Sequence, residues 1–484
     1  MALQLRPARS IDDPLPRQKR PRCYVSSSAR SIGPRGPRSR LTLVVTFVLL
    51  GVLFLTSHLA QALRDTIPDH LAMWKDALPA ALAATSLVGS VSASDALLYV
   101  SSYAGTITTL KLSLPDGDAA AAATLESISI SEGGCGVNPS WLTLDYSKNL
   151  LFCTDEGLNE KTGSLASLSI NPNGSLTSLA KLEVILGPVS LAQYGTDGDG
   201  LAAAHYSGSS VSAVAVTPEG DLQLVQNETY VLDQPGPDPS RQEAPHPHEA
   251  LLDPTGAFIL VPDLGADLVR VYQADASDLA LTPVAPLVAA PGSGPRHGVF
   301  KVVGDKTWFY LVSELANTIT GYEVTYHANK TLSFLESFVI PTHDDDRKLP
   351  EGSAVAEIWL TPDEQFLVIS SRWEGSINIT NFDPSNSTMI ASDPLINYSI
   401  NQQDGTLTKI QEFPAGGSGP RQFSMNADGS LVAVGLQADG RVVVISRDVE
   451  TGMLKDIIAH ANIEGEVTAA IFYDDYGKER DVPL

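Results

Sequence analysis

Short apolar segments separated by turn residues fill the chain from about residue 95 onward. Runs of Val, Ile, Leu, Tyr and Phe alternate with Gly, Asp, Asn and Pro, and no long helical period occurs among them. Runs of this kind, bounded by turn signals, are typical of β-strands. The pattern therefore predicts an all-β domain built from short strands.

These strands recur in a fixed order. Each unit has an apolar strand, a tight turn such as DPTG or NADG, a second strand, a break of small polar residues and a third strand. Clear copies cover residues 248–272, 297–322, 356–382 and 421–445. Weaker copies cover residues 141–157 and 189–216. The opening unit, residues 96–112, lacks an inner strand, which residues 466–474 can supply from the far end of the chain.

Seven such units predict one seven-bladed β-propeller over residues 95–478, with residues 479–484 as a tail. A single unit cannot bury both of its faces, so it must stack on neighbours. A closed ring leaves no exposed end face, and a last strand that completes the first blade would lock that ring. A pair of β-sandwiches also accounts for the strand content, but it does not explain the recurring four-strand order.

Charge and hydropathy divide the N-terminal part of the chain. Residues 1–40 hold ten Arg or Lys and two acidic residues, and predict a disordered basic tail. Residues 41–63 carry no charged side chain and are long enough to cross a bilayer as a helix. The basic flank predicts a signal anchor with the tail in the cytosol, residues 64–94 as a stalk and the propeller outside. The alternative is a signal peptide cleaved near Ala62, with secretion of the remainder.

Two further features agree with export. Six N-x-S/T sequons predict N-glycans at Asn173, Asn227, Asn329, Asn378, Asn386 and Asn397. Cys135 and Cys153 are the two cysteines beyond the predicted anchor, and outside the cytosol they can form one disulfide. Two buried thiols are the alternative.

The net charge excludes one class of partner. The chain carries −24 overall, although residues 1–40 contribute +8, so the remaining 444 residues carry −32. A body this acidic repels phosphate backbones. We therefore expect no nucleic-acid partner.

The five residues GSGPR occur twice, starting at Gly292 and at Gly417. In a propeller, the loops that precede the innermost strands form the mouth of the central channel. Gly and Pro suit an unusual turn, but Arg296 is not required for a turn. A guanidinium at a channel mouth suits a carboxylate or a phosphate, so Arg296 predicts an anionic ligand. Glu156 and Arg421, in equivalent places, are interpreted as structural.

Other polar residues occupy matching places in neighbouring units. His248 precedes another inner strand, and His297 follows Arg296 directly. Glu314 and Arg372 end the second strands of adjacent units. Because such positions converge in a ring, we expect these side chains to share a central pocket.

A family resemblance rests on these segments. The runs PHPHEALLDPTG, GPRHGVF, SELANTITGY and GPRQFSMNADG resemble the seven-bladed lactonase family, which includes bacterial-type 6-phosphogluconolactonases and fungal carboxy-cis,cis-muconate cyclases. The run NPSWLTLDYSKNLLFCTDEG is more similar to the fungal cyclase branch. The resemblance implies catalytic roles for His248, Arg296, Glu314 and Arg372. The chain departs from the family in having Ser before Glu314 and Trp-Glu after Arg372.

The expected activity is lactone formation or opening on a small anionic substrate, as in carboxymuconate cyclases. Arg296 and Arg372 would hold carboxylates, and His248 or Glu314 would transfer a proton. No metal or cofactor is predicted, because the chain has no H-E-x-x-H, G-x-S-x-G or zinc-type cysteine pair. One alternative is a 6-phosphogluconolactonase-like hydrolase that uses the same residues to activate water. Another is a non-catalytic glycoprotein displayed on a membrane or wall as a binding module.

Overall fold

Strands make up all of the regular secondary structure that is described. The computed structural model describes residues 96–115, 123–344 and 347–473, and within these ranges it contains β-strands and no helix. The predicted tail, membrane span and stalk of residues 1–94 lie outside the described residues, as does the predicted tail at residues 479–484. Within the described ranges, nothing helical is long and apolar enough to span a bilayer.

Seven four-stranded antiparallel sheets form the domain, and each has the same order from the centre outward. The innermost strands are β4 (Pro139–Asp145), β8 (Pro188–Tyr194), β12 (Leu251–Leu252), β16 (Pro295–Val303), β20 (Ala354–Leu360), β26 (Pro420–Met425) and β30 (Val467–Tyr473). The second strands are β1 (Ala96–Ser102), β5 (Leu150–Asp155), β9 (Gly200–His205), β13 (Phe258–Asp263), β17 (Lys306–Ser313), β21 (Phe366–Arg372) and β27 (Leu431–Leu436). The third strands are β2 (Thr106–Ser113), β6 (Gly163–Ile170), β10 (Ser210–Val216), β14 (Leu268–Ala274), β18 (Thr318–His327), β24 (Pro394–Ile400) and β28 (Arg441–Arg447). The outermost strands are β3 (Thr124–Glu132), β7 (Leu176–Val184), β11 (Leu222–Thr229), β15 (Leu281–Val288), β19 (Thr331–Pro341), β25 (Leu407–Pro414) and β29 (Leu454–Asn462).

The C-terminal strand closes the ring by completing the first blade, as predicted. β30, from the C-terminal end, pairs with β1 in the first blade, with Leu98 opposite Phe472. The hydrophobic core is divided into seven clusters, one between each pair of adjacent blades, including the last and the first. Middle strands such as β5 and β13 are buried on both faces, which explains their continuous apolar runs. The prediction of a seven-bladed propeller is confirmed.

The sixth blade corrects one strand assignment. The run INITNF was predicted as its third strand, but residues Ile377–Thr380 form β22, which pairs only with β23 (Met389–Ser392) as a separate hairpin. The third strand is β24 instead. β24 buries Leu395 and Ile396 completely, whereas β22 alternates between exposed and half-buried positions. The segment that buries more apolar surface occupies the sheet.

One predicted glycan is excluded. Asn397 lies on β24, is fully buried, and donates a hydrogen bond from Nδ2 to the carbonyl of Gly452 (2.5 Å). The prediction of a glycan at Asn397 is therefore wrong, because a glycan needs an exposed amide. The other five sequon asparagines are exposed, and glycans there remain predictions. Cys135 and Cys153 form a disulfide that links the loop before β4 to β5.

Candidate functional site

The two GSGPR loops are held by buried carboxylates. In the first loop, the backbone N–H groups of Gly292 and Gly294 donate to Asp267 (2.6 and 2.9 Å). In the second, Gly419 donates to Asp393 (2.8 Å). Gly294 and Gly419 have φ values of 65° and 74°, a region that disfavours side chains. The repeated glycines thus serve the turn, and each turn delivers an arginine to the start of an inner strand.

Three guanidinium groups surround one carboxylate. Glu314 Oε2 accepts a hydrogen bond from Nε of Arg296 (2.9 Å) and lies 3.1 Å from Nη2 of Arg372. Its Oε1 accepts from Nη2 of Arg241 (2.6 Å). Arg296 also donates from Nη1 to the carbonyl of Ala356 (2.5 Å). The structure therefore brings together Arg296, Glu314 and Arg372 as predicted, and adds Arg241.

This cluster carries an excess of positive charge. Burial opposes ionisation of Glu314, but Arg372, Arg296 and Arg241 together lower its pKa to about 2. Burial and the nearby Arg372 lower the pKa of Arg296 to about 9. Three guanidiniums share this one carboxylate, and Arg296 and Arg372 are buried, so a bound anion would stabilise the cluster.

A pair of histidines lies beside the arginines. Nδ1 of His248 lies 3.1 Å from Nε2 of His297, and Nδ1 of His297 lies 3.0 Å from Oε1 of Glu357. Burial, with Arg296 next in effect, lowers the pKa of His248 well below its ordinary value. Burial lowers the pKa of His297 to about 4, despite the opposing effect of Glu357. Both imidazoles are therefore neutral near pH 7.

The second repeated arginine has its own partners. Nη2 of Arg421 lies 2.9 Å from Oε1 of Glu156, and Nη1 donates to the hydroxyl of Tyr103 (2.6 Å). This single ion pair fits the structural interpretation of Glu156 and Arg421. Arg421 nevertheless also lines the central cavity.

A small cavity of about 10 Å³, with room for about one water molecule, lies among these groups. Its lining includes Trp141, His248, Arg296, His297, Arg421 and Thr468. Of the four residues expected to share a pocket, only His248 and Arg296 line this cavity; Glu314 and Arg372 do not, and they are linked to it through the ion pair of Glu314 with Arg296. The cavity therefore places a neutral imidazole and a guanidinium beside the same small space, an arrangement that can combine a general base with stabilisation of an oxyanion.

One group of side chains has the atoms to hold a cation. Donor atoms of Glu249, His297 and Glu357 lie within 4.8 Å of one another. Nδ1 of His297, however, is within hydrogen-bonding distance of Glu357. Burial and the neighbouring Glu357 raise the pKa of Glu249 well above its ordinary value, which favours a protonated carboxyl there. A metal-free mechanism stays a prediction.

Known proteins share this chain's sequence pattern and fold. The family described as "Lactonase, 7-bladed beta-propeller" matches residues 87–471. A relative from Arthroderma benhamiae, named "Probable 6-phosphogluconolactonase", is 33% identical over 318 residues, covering 65% of this chain and 75% of the relative. The 6-phosphogluconolactonase of Bacillus subtilis is 25% identical over 319 residues, covering 66% of this chain and 82% of that protein.

Solved structures share the fold. The periplasmic gluconolactonase of Pseudomonas aeruginosa superposes with a TM-score of 0.65 at 23% identity, covering 79% of this chain and 99% of that structure. The family match covers all seven blades almost to the end of the closing strand. The chain belongs to the lactonase family of seven-bladed β-propellers.

Proposed function

We propose that the protein hydrolyses the lactone of a small anionic sugar acid. The observation that carries this proposal is the cluster of three guanidiniums around one carboxylate, next to two neutral imidazoles at a small cavity. An anionic substrate would balance the excess charge, and a neutral imidazole can act as a general base. The names of the relatives support hydrolysis of a phosphosugar lactone more directly than lactone formation from a muconate.

The proposed reaction follows from the residues at the cavity. A water molecule attacks the lactone carbonyl while His248 takes its proton. The carbonyl oxygen becomes an oxyanion, which the guanidinium of Arg296 stabilises. When the tetrahedral intermediate collapses, the ring C–O bond breaks and the protonated His248 returns its proton to the leaving oxygen. The product is the open-chain hydroxy acid. Arg372 and Arg241 supply the charge that attracts the anionic group of the substrate.

A substrate panel tests this proposal. Purified full-length protein is assayed with 6-phosphogluconolactone, with uncharged gluconolactone and with 3-carboxymuconate. We expect kcat/KM for the phosphorylated lactone to exceed that for the uncharged one by about 100-fold, which corresponds to about two charge-assisted hydrogen bonds. Equal kcat/KM values for the two lactones would contradict the proposed role of the arginine cluster in binding the anionic group of the substrate.

The same panel separates the other candidate functions. Conversion of 3-carboxymuconate alone would favour a cyclase. Turnover of none of these compounds, with a ligand nevertheless retained by the protein, would favour the binding module.

We also infer that the propeller works outside the cytosol. The disulfide between Cys135 and Cys153 and five exposed sequons support this proposal, together with the apolar segment 41–63 of the sequence. Glycosidase treatment of the protein from its native host should reduce its apparent mass, and free-thiol labelling should leave Cys135 and Cys153 unmodified. Full labelling of both thiols in freshly isolated protein, without any glycan, would contradict export.

A further inference from the structure

Three buried side chains form a hydrogen-bonded line across three blades. Glu357 lies on β20, His297 on β16, and His248 just before β12, and their exposures are 2%, 1% and 8%. The distance from Glu357 Oε1 to Nδ1 of His297 is 3.0 Å, and that from Nε2 of His297 to Nδ1 of His248 is 3.1 Å. The line ends at the cavity, which both histidines contact.

The order of donors along this line is fixed by chemistry. Oε1 of Glu357 also accepts a hydrogen bond from the backbone N–H of Ile358 (3.1 Å), so this oxygen is an acceptor and His297 donates to it from Nδ1. A neutral imidazole has one N–H, so Nε2 of His297 is left as an acceptor. His248 must then donate from Nδ1, and its Nε2 carries a lone pair. Among the described residues, Nε2 of His248 has no side-chain hydrogen bond.

We propose that Glu357 and His297 are positioning residues that set the tautomer of His248, so that Nε2 faces the substrate water as a base. The carboxylate also stabilises the positive charge that reaches the imidazole pair when His248 takes the proton. This proposal rests on the proposed hydrolysis, in which His248 is the base. The Ser-His-Asp triad uses a carboxylate in the same way, through one histidine rather than two.

The second oxygen of Glu357 supports a functional role. Glu357 Oε2 is buried and lacks a hydrogen-bond partner in the described part of the chain. A buried carboxylate oxygen left unpaired is destabilising, and an apolar residue would avoid that cost. This cost fits a carboxylate whose charge has a function in the site.

Glu249 provides a matched control. It is also buried, and its Oε1 lies 3.9 Å from Nδ1 of His297, too far for a hydrogen bond. Its Oε2 accepts from the backbone of Gly298 (2.7 Å), a bond that a glutamine oxygen can keep. Because its carboxyl is favoured in the neutral form, replacing Glu249 with Gln changes neither shape nor charge greatly.

Kinetics of the full-length Glu357→Gln and Glu249→Gln variants test the proposal. In Glu357→Gln the side chain loses its charge, while the backbone N–H of Ile358 favours the amide oxygen at the Oε1 position and so keeps the tautomers. We expect Glu357→Gln to lower kcat for 6-phosphogluconolactone by about 10-fold to 100-fold, because the protonated imidazole pair loses its neighbouring negative charge, with KM within about threefold. The acidic limb of its kcat profile should move to lower pH, because the protonated imidazole loses a nearby anion. Glu249→Gln should have a kcat within about threefold of the wild-type value, and the acidic limb of its kcat profile should stay at the wild-type pH. Equal kcat values and equal pH profiles for the two variants would overturn the proposal.

Nitrogen-15 NMR of histidine-labelled protein gives a readout that does not depend on activity. We expect Nδ1–H protons on both His248 and His297, assigned by the His248→Gln and His297→Gln variants. An Nε2–H on His248 would overturn the proposal. A stoichiometric divalent metal that wild-type protein holds and Glu357→Gln loses would also overturn it, because a cation on Nδ1 of His297 replaces the hydrogen bond. If the protein shows the predicted tautomers but turns over no lactone, the proposed function is wrong, whereas the hydrogen-bonded line of Glu357, His297 and His248 still stands.

Discussion

At the scale of single residues, Glu314 forms more ion pairs than any other described residue of the site. Its carboxylate contacts Arg241, Arg296 and Arg372, and its side chain is only 5% exposed. Removing one partner from a buried charge cluster leaves the others without compensation. Glu314 is therefore needed to hold the Arg296 side chain in its buried position at the cavity, whether or not Glu314 also transfers a proton.

The Glu314→Gln variant tests this role through pH. The pKa of Glu314 falls from an ordinary value of 4.5 to about 2 on folding, so its stabilisation is complete above about pH 4.5 and is lost as pH falls toward 2. At pH 7 we expect Glu314→Gln to lower the free energy of unfolding by about 3 kcal/mol. The difference from wild type should narrow between pH 4.5 and pH 2 in urea titrations. A difference that stays constant over this range would contradict the role given to the carboxylate.

The sequence identified some of these residues and missed others for a physical reason. His248, Arg296, Glu314 and Arg372 could be found because they stand at the starts or ends of recognisable strands. Glu357 lies inside an apolar run, at a point where a register irregularity between Val355 and Ile358 interrupts the alternation of side chains. Local alternation cannot predict which way a side chain points across such an irregularity.

At the scale of elements, Asp393 joins two loops that form one side of the site. Its buried carboxylate accepts backbone hydrogen bonds from Trp373, Glu374 and Gly375, directly after Arg372. It also accepts from Gly419 in the second GSGPR loop. The hairpin β22–β23 emerges between these contacts. The sequence analysis predicted β22 as the third strand of the blade. The periodicity of side chains indicates that a segment is a strand, but it does not indicate which strand that segment pairs with.

The Asp393→Asn variant tests this connection. An amide nitrogen would face backbone donors that now point at a carboxylate oxygen, so we expect a loss of about 2–4 kcal/mol in the free energy of unfolding. Because Arg372 precedes the affected turn, kcat/KM for the preferred substrate should fall as well. Asp439→Asn is the control, since the Asp439 side chain is 27% exposed and receives one backbone hydrogen bond, from Ser418. Equal stability of the two variants would argue against the connection.

At the scale of the whole molecule, closure of the ring is what makes the site. His248 belongs to the fourth blade, Arg296 and Glu314 to the fifth, and Arg372 to the sixth. β30 completes the first blade and buries residues on both of its faces, including Val467 and Ala470 in one cluster and Ala469 in another. The repeat order in the sequence was enough to predict this closure, because each unit needs two neighbours.

Removal of residues 466–484 tests closure. Two inter-blade clusters would lose the apolar residues of β30, and the inner edge of β1 would be left unpaired. We expect the shortened protein to lose its cooperative thermal transition and to aggregate. Removal of residues 479–484 alone is the control and should keep the transition. A cooperative transition near the wild-type temperature in the shorter protein would show that β30 is dispensable.

The central claim is that the ring places the Arg296 guanidinium against the reacting group of an anionic lactone. Its most direct test compares Arg296→Lys with Arg447→Lys in kcat/KM for 6-phosphogluconolactone. Arg447 is also fully buried and binds one carboxylate, that of Asp363 (3.0 Å), and one carbonyl, that of Gly429 (3.0 Å), away from the cavity. A lysine cannot present the two directed donors of a guanidinium, so we expect Arg296→Lys to lose about 100-fold to 1,000-fold and Arg447→Lys to stay within about threefold. Equal effects of the two substitutions would contradict the claim.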